Sequence, residues 1–363
     1  MSFTLAQIAG AIGAQVAGDP DLIVTGVAEP AQAGPDDLAM ALKPAYAAML
    51  GQGRARAAML WEGADWQAMG LSGAILPRRP RYALAGVSAV MDPGQGFAPG
   101  IHPSAVIDPS ARIGAGVSIG ALSVIGPRAQ IGEGCVIGPQ VHVGADARLG
   151  PGALLREQVS IGARVTIGAR FIAQPGARVG GDGFSFVTPE VSGVEAVRAS
   201  LGDQGDTKAQ SYARIHSLGA VSIGDDVEMG ANATIDNGTI RDTVIGDGCK
   251  LDNLTQIGHN VVMGRDCLVC AQAGVAGSTV LGDNVVLGGQ TGVSDNLTIG
   301  DRVITGGGTV VLSNVPAGRV LLGYPATKME AQVESYKAIR RLPRLFRDVA
   351  ELRKAVFKTG SSD

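Results

Sequence analysis

The sequence predicts a mainly β protein: a parallel β-helix of hexapeptide repeats, with an N-terminal α/β domain and C-terminal α-helices. Three observations predict this fold. Aliphatic residues recur every six positions, glycine accounts for 54 of 363 residues, and both ends of the chain lack the repeat. A period of six matches neither an amphipathic helix nor an alternating strand. It is typical of a coil in which every hexapeptide contributes one short strand and one turn.

The repeat begins at Ile101 and stays in phase as far as Val179. Its anchor positions are Ile101, Ile107, Ile113, Ile119, Ile125, Ile131, Ile137, Val143, Leu149, Leu155, Ile161, Ile167, Ala173 and Val179. Most anchors are followed by Gly, and the fourth residue after an anchor is usually small. We expect the anchor and the small residue to fill an interior too narrow for aromatic rings, and Gly to permit a corner conformation that a Cβ would obstruct. Because one coil cannot stand alone, many coils must stack.

Two interruptions divide the predicted β-helix domain, residues 101–323. The first is an insertion at about 181–217, which contains the segment Gly181-Asp182-Gly183-Phe184-Ser185-Phe186. Insertions in solenoids emerge on one face and often line a binding surface. A surface loop that packs its own Phe side chains explains the same residues equally well. The second interruption is a slip of four residues between Ile235 and Ile245, after which the repeat resumes.

Residues 1–100 predict a small α/β domain. Its expected elements are a helix on the stripe of Leu5, Ile8 and Ile12, strands at 22–24, 59–60 and 74–76, and helices at 44–50 and 82–91. Residues 93–99 are rich in Pro and Gly, which is typical of a linker.

Residues 324–363 predict a helical extension. The segment Leu322-Gly323-Tyr324-Pro325 ends the coil region, Thr327 and Glu330 match a capping box, and Pro343 can open a second helix. The extension is strongly basic, with Lys328, Lys337, Arg340, Arg341, Arg344, Arg347, Arg353, Lys354 and Lys358. Such a run is either a solvated face or a surface that docks an acidic partner.

The composition excludes several classes of protein. A net charge of −3 and a pI near 5.9 give no overall field that favours nucleic acid. No apolar run approaches the ~20 residues of a membrane span, and the N-terminus lacks the basic and apolar segments of a signal peptide. We therefore expect a cytoplasmic protein with no transmembrane segment.

The four cysteines are predicted to be structural, with no metal bound. Cys135, Cys249 and Cys267 each lie four residues after an anchor, at the small inward position. Cys267 and Cys270 form a C-x-x-C pair, but neither a second pair nor a His at ligand spacing accompanies it.

The candidate site centres on His259, two residues after the anchor Ile257, where a side chain should point outward. A lone outward His is more often an ordinary surface residue. However, a coil of three hexapeptides places residues eighteen apart on one face, so that the backbone N–H of Gly277 can approach the same patch of surface as His259. Asp252 can accept a hydrogen bond from the imidazole and fix its tautomer. A base, an orienting group and a backbone donor are the parts that acyl transfer requires.

At these residues the chain resembles the bacterial UDP-3-O-(3-hydroxyacyl)glucosamine N-acyltransferases of lipid A biosynthesis, within the hexapeptide-repeat acyltransferase superfamily. The resemblance covers nearly the whole chain. It is carried by the segments 18–28, 103–107, 181–184 (GDGF), 233–236 (ATID), 251–253 (LDN), 256–261 (QIGHNV) and 323–326 (GYPA). Hexapeptides alone indicate only the superfamily. The GDGF insertion combined with QIGHNV, behind this N-terminal domain, is far more specific.

The resemblance implies a left-handed β-helix, although the repeat itself does not reveal the winding sense. It also implies a homotrimer with active sites between neighbouring subunits. Residues 1–100 would bind the uridine part of a UDP-sugar acceptor, and the basic C-terminal helices would engage acyl carrier protein. No cofactor is expected, because phosphopantetheine arrives on the acyl carrier protein.

The resemblance also assigns roles to residues. His259 matches the general base that takes a proton from the glucosamine 2-amine, Asp252 the acidic residue that supports it, and Gly277 the backbone donor to the tetrahedral oxyanion. The candidate substrate-binding residues are Tyr46, Met40, Lys43, Asn296, Asp182 and Phe184.

Three positions depart from the family's pattern. Asn296 replaces a second His, and it can hydrogen-bond a sugar hydroxyl or phosphate but cannot carry a proton. In the uracil site, Tyr46 matches the expected stacking aromatic, whereas Met40 replaces a second aromatic and Lys43 replaces an Asn. One ring and a thioether would stack less strongly on uracil than two rings.

Two alternative functions remain open at this point. The chain could be a related hexapeptide acyltransferase that acts on a hydroxyl or on another UDP-amino sugar. The N-terminal domain argues against the first, because O-acylating relatives begin directly with the β-helix. The other alternative is a non-catalytic trimeric scaffold, in which His259 is an ordinary surface residue.

Overall fold

We describe the protein from a computed structural model, which covers residues 1–200, 202–203, 206–323 and 326–357, with the side chains of 198 and 199 left out. The chain divides into two compact units, Met1–Phe97 and a second unit that begins at Ala98. This boundary lies inside the predicted linker at 93–99. Tyr324, Pro325 and Lys358, which the sequence singles out, lie outside the described residues.

The first unit contains a five-stranded sheet and three α-helices. Its elements are β1 (Phe3–Thr4), α1 (Leu5–Ile12), β2 (Gln15–Gly18), β3 (Ile23–Val24), β4 (Gly26–Ala28), β5 (Asp37–Met40), α2 (Pro44–Ala47), β6 (Ala57–Met59), β7 (Gly73–Leu76) and α3 (Pro80–Met91). The strand order is β2-β7-β6-β5-β4, and only β2 runs antiparallel to its neighbour. Helix α1 starts at a capping box in which the Thr4 hydroxyl accepts from the Gln7 N–H at 3.2 Å.

The predicted elements of this unit are present, with one difference. The helix expected over 44–50 ends at Ala47, and a separate 3-10 turn follows over Leu50–Gln52. The first and last helices and the strands near 23, 58 and 75 are confirmed.

The second unit is a parallel β-helix whose short strands form three sheets. Sheet 1 contains Val106–Ile107, Val124–Ile125, His142–Val143, Ser160–Ile161, Arg178–Gly181, Thr234–Asp236, Gln256–Ile257, Gly274–Val275, Gly292–Val293 and Val310–Val311. Sheet 2 contains Arg112–Ile113, Gln130–Ile131, Arg148–Leu149, Thr166–Ile167, Val221–Ile223, Thr243–Ile245, Val262–Met263, Val280–Leu281 and Thr298–Ile299. Sheet 3 contains Ser118–Ile119, Val136–Ile137, Leu154–Leu155, Ile172–Ala173, Glu228–Met229, Lys250–Leu251, Leu268–Val269, Val286–Leu287, Ile304–Thr305 and Val320–Leu321.

The register follows the hexapeptide repeat. Ile125 pairs with Val143 and Ile257 with Val275, which is a step of eighteen residues, or three hexapeptides, per coil. The anchors point inward and form one continuous buried core. Across the slip of four residues the step lengthens to twenty-two, as in the pairing of Ile235 with Ile257. The predicted parallel β-helix is therefore confirmed, while its left-handed winding stays a prediction.

The glycines after the anchors serve a different purpose from the one predicted. Gly132 does not adopt a positive φ, but a Cβ there would lie 2.6 Å from the backbone of Gly150 in the next coil. These glycines are therefore required by the close stacking of coils. The left-handed corner conformation occurs two residues later, often at a non-glycine residue such as Gln140 (φ 56°) or Asn260 (φ 60°).

The expectation that the interior excludes rings is wrong at one coil. Phe171 occupies the inward position that is usually small, and its side chain is fully buried. Ala173, the anchor that follows it, is the smallest of the first series and is also fully buried. The small anchor leaves volume for the ring, so that the interior of this coil can stay close-packed.

The insertion has secondary structure of its own. Phe186–Val187 and Ala213–Arg214 form an antiparallel pair, and helix α4 spans Gly193–Ser200. Ser192 and Glu195 cap the start of α4 by exchanging backbone and side-chain hydrogen bonds.

The C-terminal extension differs from the prediction of two helices. A single helix, α5, spans Met329–Phe357 and includes Pro343. Proline within a helix removes one backbone hydrogen bond, but the strong helix formers on both sides carry the helix through it. Thr327 does not cap the helix through Glu330, because its hydroxyl donates to Gln332 at 3.0 Å.

Candidate active site

His259 lies at the corner between sheets 1 and 2, two residues after Ile257, and is half-buried. Its imidazole rests directly against Gly277 in the next coil. A Cβ at Gly277 would lie 2.6 Å from both Cε1 and Nε2 of the ring. The prediction that residues eighteen apart would meet here is therefore confirmed, and a side chain at position 277 would exclude the ring.

The backbone N–H of Gly277 lacks the cap that similar corners possess. At the same point of their hexapeptides, Ala231 N–H donates to Asn253 Oδ1 at 2.7 Å and Arg265 N–H donates to Asp283 Oδ1 at 2.8 Å. Within the described part of the chain, the Gly277 N–H donates to no acceptor. A free backbone donor beside an imidazole is suited to bind a developing oxyanion.

The tautomer of His259 is fixed by Asn260 rather than by Asp252. His259 Nδ1 lies 3.0 Å from Asn260 Oδ1, and the same oxygen accepts from the Thr239 N–H at 3.0 Å. Since that backbone donor requires an oxygen, Asn260 presents an acceptor, and Nδ1 must carry the proton in neutral imidazole. Nε2 is then the unprotonated nitrogen and can act as a base.

Asn260 is in turn held in place by the loop that the four extra residues form. The extra residues form a loop over 237–242, from which Thr239 and Arg241 reach Asn260. Arg241 accepts from Asn260 Nδ2 at 3.3 Å through its carbonyl and donates to the Asn260 carbonyl at 2.7 Å. Asn260 N–H donates to Thr243 Oγ1 at 2.9 Å. All polar groups of Asn260 are therefore occupied, which leaves its amide one orientation.

The predicted hydrogen bond between Asp252 and His259 is not formed within one chain. Asp252 lies at the corner between sheets 3 and 1, so one side of the triangular coil separates it from His259. Its carboxylate accepts from the N–H groups of Asn253 at 2.7 Å and Ala271 at 3.0 Å. Within one chain, Asp252 caps a corner. It lines a second cavity of about 510 Å³ with Gln174 and Lys250.

Asp236 is an acidic residue of the site that sequence reasoning did not identify. It ends the strand Thr234–Asp236 of sheet 1 and lines the same cavity as His259, of about 720 Å³. Burial raises the pKa of the Asp236 carboxyl, while a hydrogen bond from Gln256 and the charge of a protonated His259 oppose that rise. The signal was available in the ATID segment, but position alone did not separate it from other outward residues.

The insertion forms a wall beside His259. Gly183 packs against the imidazole stem, because a Cβ there would lie 2.7 Å from His259 Cβ. Phe184 is 86% exposed and packs edge-on against Phe186 with ring centroids 5.0 Å apart. Both phenylalanines line a cavity of about 890 Å³ that reaches His259 and Gly277. The insertion therefore packs its own rings and also lines the site, so both interpretations of the sequence hold.

Asp182 also lies at this wall. Its carboxylate is exposed and is 3.9 Å from the Arg214 guanidinium, which lies over the Phe186 ring at 4.9 Å. Asp182, Phe184 and Asp236 line one cavity with His259. The structure thus brings the predicted residues Asp182 and Phe184 to the base.

A strip without side chains runs from His259 along sheet 1. The outward positions Gly274 and Gly292 follow Gln256 on successive coils. A Cβ at either glycine would meet no atom within 4 Å, so both face open space. Val310 and Leu312 close the strip one coil further on. The result is a shallow apolar groove on sheet 1, which we call the glycine groove.

Asn296 lies one coil beyond Gly277, with its backbone N–H bonded to the Gly277 carbonyl at 3.0 Å. Its side-chain amide donates to Asp295 Oδ2 at 3.0 Å. Asp295, rather than Asn296, lines the cavity that contains His259. The structure therefore places Asn296 at the rim of the site.

The predicted uracil-binding residues cluster within the first unit. Met40 is half-buried at the end of β5, Lys43 precedes α2, and Tyr46 lies in α2 and is 48% exposed. They lie at the carboxyl end of a parallel strand, where ligands of α/β sheets commonly bind.

The cysteines behave as core residues. Cys135, Cys249 and Cys267 are buried free thiols that donate to carbonyl oxygens of the next coil, and Cys270 is half-buried. Among the described residues, no three His, Cys, Asp or Glu side chains are grouped to hold a metal ion. Within the same residues, every helix is too short or too polar to span a bilayer.

The chain is similar to several known proteins. Residues 110–145 and 242–277 match the bacterial transferase hexapeptide family (six repeats). The UDP-3-O-acylglucosamine N-acyltransferase of Ruegeria pomeroyi is 70% identical over 363 residues, which is 100% of both chains. The protein of the same name from Paracoccus denitrificans is 62% identical over 99% of this chain and 98% of its own. The solved UDP-N-acetylglucosamine acyltransferase of Arabidopsis shares 25% identity at a TM-score of 0.50, over 61% of this chain and 71% of that one.

Proposed function

The chain belongs to the UDP-3-O-acylglucosamine N-acyltransferases of lipid A biosynthesis, and we propose that it uses His259 to move a 3-hydroxyacyl group from acyl carrier protein to the 2-amine of the UDP-sugar. The observation that carries this proposal is the pairing of imidazole and backbone amide. Nε2 of His259 is free to accept a proton, and Gly277, whose backbone N–H is uncapped among the described residues, packs against the same ring.

In the proposed reaction, the neutral 2-amine attacks the carbonyl carbon of the thioester. As the C–N bond forms, His259 Nε2 takes one proton from the nitrogen, and the carbonyl oxygen becomes an oxyanion that accepts from the Gly277 N–H. Collapse of this intermediate breaks the C–S bond, and the phosphopantetheine sulfur leaves with the proton that His259 held. A positioned base contributes about 10²–10⁴-fold to the rate, and one oxyanion donor about 10²–10³-fold.

The glycine groove is the proposed place for the transferred hydrocarbon chain. It begins at the base, offers bare backbone at Gly274 and Gly292, and ends against Val310 and Leu312. Burial of methylene groups stabilises such a chain by about 0.8 kcal/mol for each CH₂. Phe184 of the insertion adds an exposed ring that lines the same cavity.

The acceptor is proposed to bind through two regions of the chain. Tyr46 would stack on uracil, with Met40 and Lys43 beside it. Asp182 and Asn296 would contact the sugar or diphosphate near the base. The partial exposure of Tyr46 supports the first assignment, because an accessible aromatic ring can stack on a flat base.

Asp252 can join the site only from a second copy of the chain, and a homotrimer would provide that copy. The cavity at Asp252 lies on a different corner from the cavity at His259. Subunits related by a three-fold axis present unlike surfaces to one another, so the two corners can meet. A left-handed solenoid is the form that the resemblance implies for this assembly.

Helix α5 is the proposed docking site for acyl carrier protein. All its described residues are exposed, and Arg340, Arg341, Arg344 and Arg347 give it a strongly basic character that suits an acidic partner. On this proposal the enzyme works in the cytoplasm, and it needs no cofactor beyond the phosphopantetheine of its donor.

The direct test is amide formation by purified protein. The donor is acyl carrier protein loaded with a 3-hydroxy fatty acid, the acceptor is the UDP-3-O-acylglucosamine, and the amide is detected by mass spectrometry. We expect turnover by the wild type and a loss of at least about 10²-fold in His259→Ala. His142→Ala removes an exposed imidazole from the same sheet and should leave turnover unchanged. Absence of amide, or full activity of His259→Ala, rejects the proposal.

A further inference from the structure

We propose that Asp236 selects an amine over a hydroxyl as the acceptor, by accepting a hydrogen bond from the second N–H of the acceptor nitrogen. This inference rests on the proposed function of the His259 site and adds a specificity-determining residue to it. Its chemical class of ligand is a primary amine on a sugar.

The first step of the argument is the position of Asp236 in sheet 1. Asp236 is paired with Gly181 on one side, and the pairing of Ile235 with Ile257 places Gly258 on the other side. Neither glycine has a side chain that could cover the carboxyl. The next residue along the chain from Gly258 is His259. The carboxyl of Asp236 therefore opens into the cavity that contains the base.

The second step is the absence of a cationic partner. Among the described residues, the ion pairs of this part of the chain do not include Asp236, whereas Asp182 in the same cavity has Arg214 at 3.9 Å. The neighbouring Gln256 side chain lowers the pKa of the Asp236 carboxyl, while its Nε2 donates to the Ile257 carbonyl at 3.3 Å. A carboxylate has about four acceptor positions, so most of the acceptor capacity of Asp236 remains for a ligand.

The third step is a count of protons on the nucleophile. A neutral primary amine has two N–H bonds, of which one proton goes to His259 Nε2 during attack. The other N–H remains on the nitrogen in the substrate, in the tetrahedral intermediate and in the product amide. It can donate to Asp236 throughout the reaction.

A hydroxyl acceptor has only one O–H bond, and its proton goes to His259. No proton then remains for Asp236, which would face the oxygen lone pairs across a partly buried cavity. A site built to accept a hydrogen bond rejects an analogue that lacks the donor, because its own polar group is left unpaired. Asp236 therefore favours amide formation over ester formation.

The experiment compares two acceptors that differ only at this atom. They are the UDP-3-O-acylglucosamine and its analogue with a hydroxyl in place of the 2-amine. For each acceptor, kcat/KM is measured by mass spectrometry and Kd by isothermal titration, in wild type, Asp236→Ala and Asp236→Asn. Thermal melts and size-exclusion chromatography establish that the variants fold and assemble.

We expect Asp236→Ala to lose about 10- to 100-fold in kcat/KM for the amine, with a hydroxyl analogue that binds as tightly as before or more tightly. Asp236→Asn retains a neutral acceptor oxygen and should lose less. Asp146→Asn, which removes an exposed carboxyl that pairs with Arg128, should change neither acceptor. Equal losses for both acceptors, or unchanged amine kinetics, would overturn the inference.

The titration arm separates this inference from the proposed function. If the wild type forms no amide, the proposed function fails. The preference for binding the amine, and its loss in Asp236→Ala, still test Asp236 without turnover.

Discussion

At the scale of single residues, the site depends on the space that Gly277 leaves for the imidazole. Gly277→Ala would place a Cβ 2.6 Å from the ring, and φ at this position is not in the left-handed region. We expect the chain to fold normally and the ring to be displaced, with kcat reduced by about 10²-fold or more. Steady-state kinetics with a thermal melt measure both effects.

Gly289 provides a matched control for Gly277. It occupies the same point of its own hexapeptide, two residues after the anchor Leu287, but a Cβ there meets its nearest atom at an ordinary 3.5 Å. Gly289→Ala should therefore keep wild-type kinetics. A fully active Gly277→Ala would show that the imidazole does not work in the observed position.

The ionised carboxyl of Asp236 should lower the free energy of unfolding at neutral pH. Burial raises the pKa of the folded-state carboxyl above 3.8, because it disfavours the charged form. The contribution of Asp236 to the free energy of unfolding is therefore greatest below pH 3.8 and is lost as the pH rises through the raised pKa. Asp236→Asn, which stays neutral, should have a higher free energy of unfolding at pH 7, with the advantage shrinking toward pH 4. Denaturant titrations at several pH values measure this difference.

The pKa shift of Asp146 has the opposite sign to that of Asp236. The hydrogen bond from Arg128 lowers the pKa of the Asp146 carboxyl, so that Asp146→Asn cannot gain stability in this way. A less stable Asp236→Asn at pH 7 would contradict the account given for Asp236.

The sequence predicted some of these residues and missed others, for physical reasons. His259 and Gly277 followed from the period, since residues three hexapeptides apart must stack. Asn260 was missed because its role depends on a loop that the repeat treats only as a slip. Asp252 was assigned from its place in the preceding hexapeptide and then by resemblance. Its hydrogen bonds within one chain were missed, because the repeat predicts which residues stack but not which groups bond to each other.

At the scale of elements, the glycine groove gives a prediction for the length of the acyl chain. Gly292→Leu adds a side chain into open space and should not disturb folding. It should block the far end of the groove, so that donors with shorter 3-hydroxyacyl chains are preferred. Competition between acyl carrier proteins loaded with different chain lengths measures the preference.

Thr298→Leu is the control for the groove. Thr298 is exposed on sheet 2, in the coil that contains Gly292. It adds a similar side chain to a different face and should leave the chain-length preference unchanged. An unchanged preference in Gly292→Leu would place the hydrocarbon elsewhere.

The elements themselves were largely predictable. Aliphatic anchors fix strands and register because one face of every strand must be buried. The prediction of two C-terminal helices divided at Pro343 was wrong. The helix formers on both sides stabilise one continuous helix by more than the single Pro destabilises it. The sequence located the glycines after the anchors, but the predicted reason for them, a corner conformation, was wrong. Contacts between coils, such as that of Gly132 with Gly150, cannot be seen along the sequence.

At the scale of the whole molecule, the separation of Asp252 from His259 gives a test of assembly. His259→Ala and Asp252→Ala chains should each be inactive as homotrimers if both residues serve one shared site. Co-refolding the two variants should restore up to about a quarter of wild-type activity, because that share of interfaces joins two intact halves. Activity assays on the mixed sample measure the recovery.

The same mixture tests whether the site is shared. Mixing without refolding should restore nothing, since the chains cannot exchange. No recovery after refolding, with trimers present by size-exclusion chromatography, would confine Asp252 to its role as a corner cap.

A solenoid contacts itself only from one coil to the next, and this has a consequence for heat inactivation. Sheet 1 has six strands on the N-terminal side of the strand that precedes His259 and three on the C-terminal side. Since unravelling of such a stack starts at its ends, the shorter arm should fray into the catalytic coil first. Warming should therefore abolish turnover while most of the β signal in circular dichroism persists.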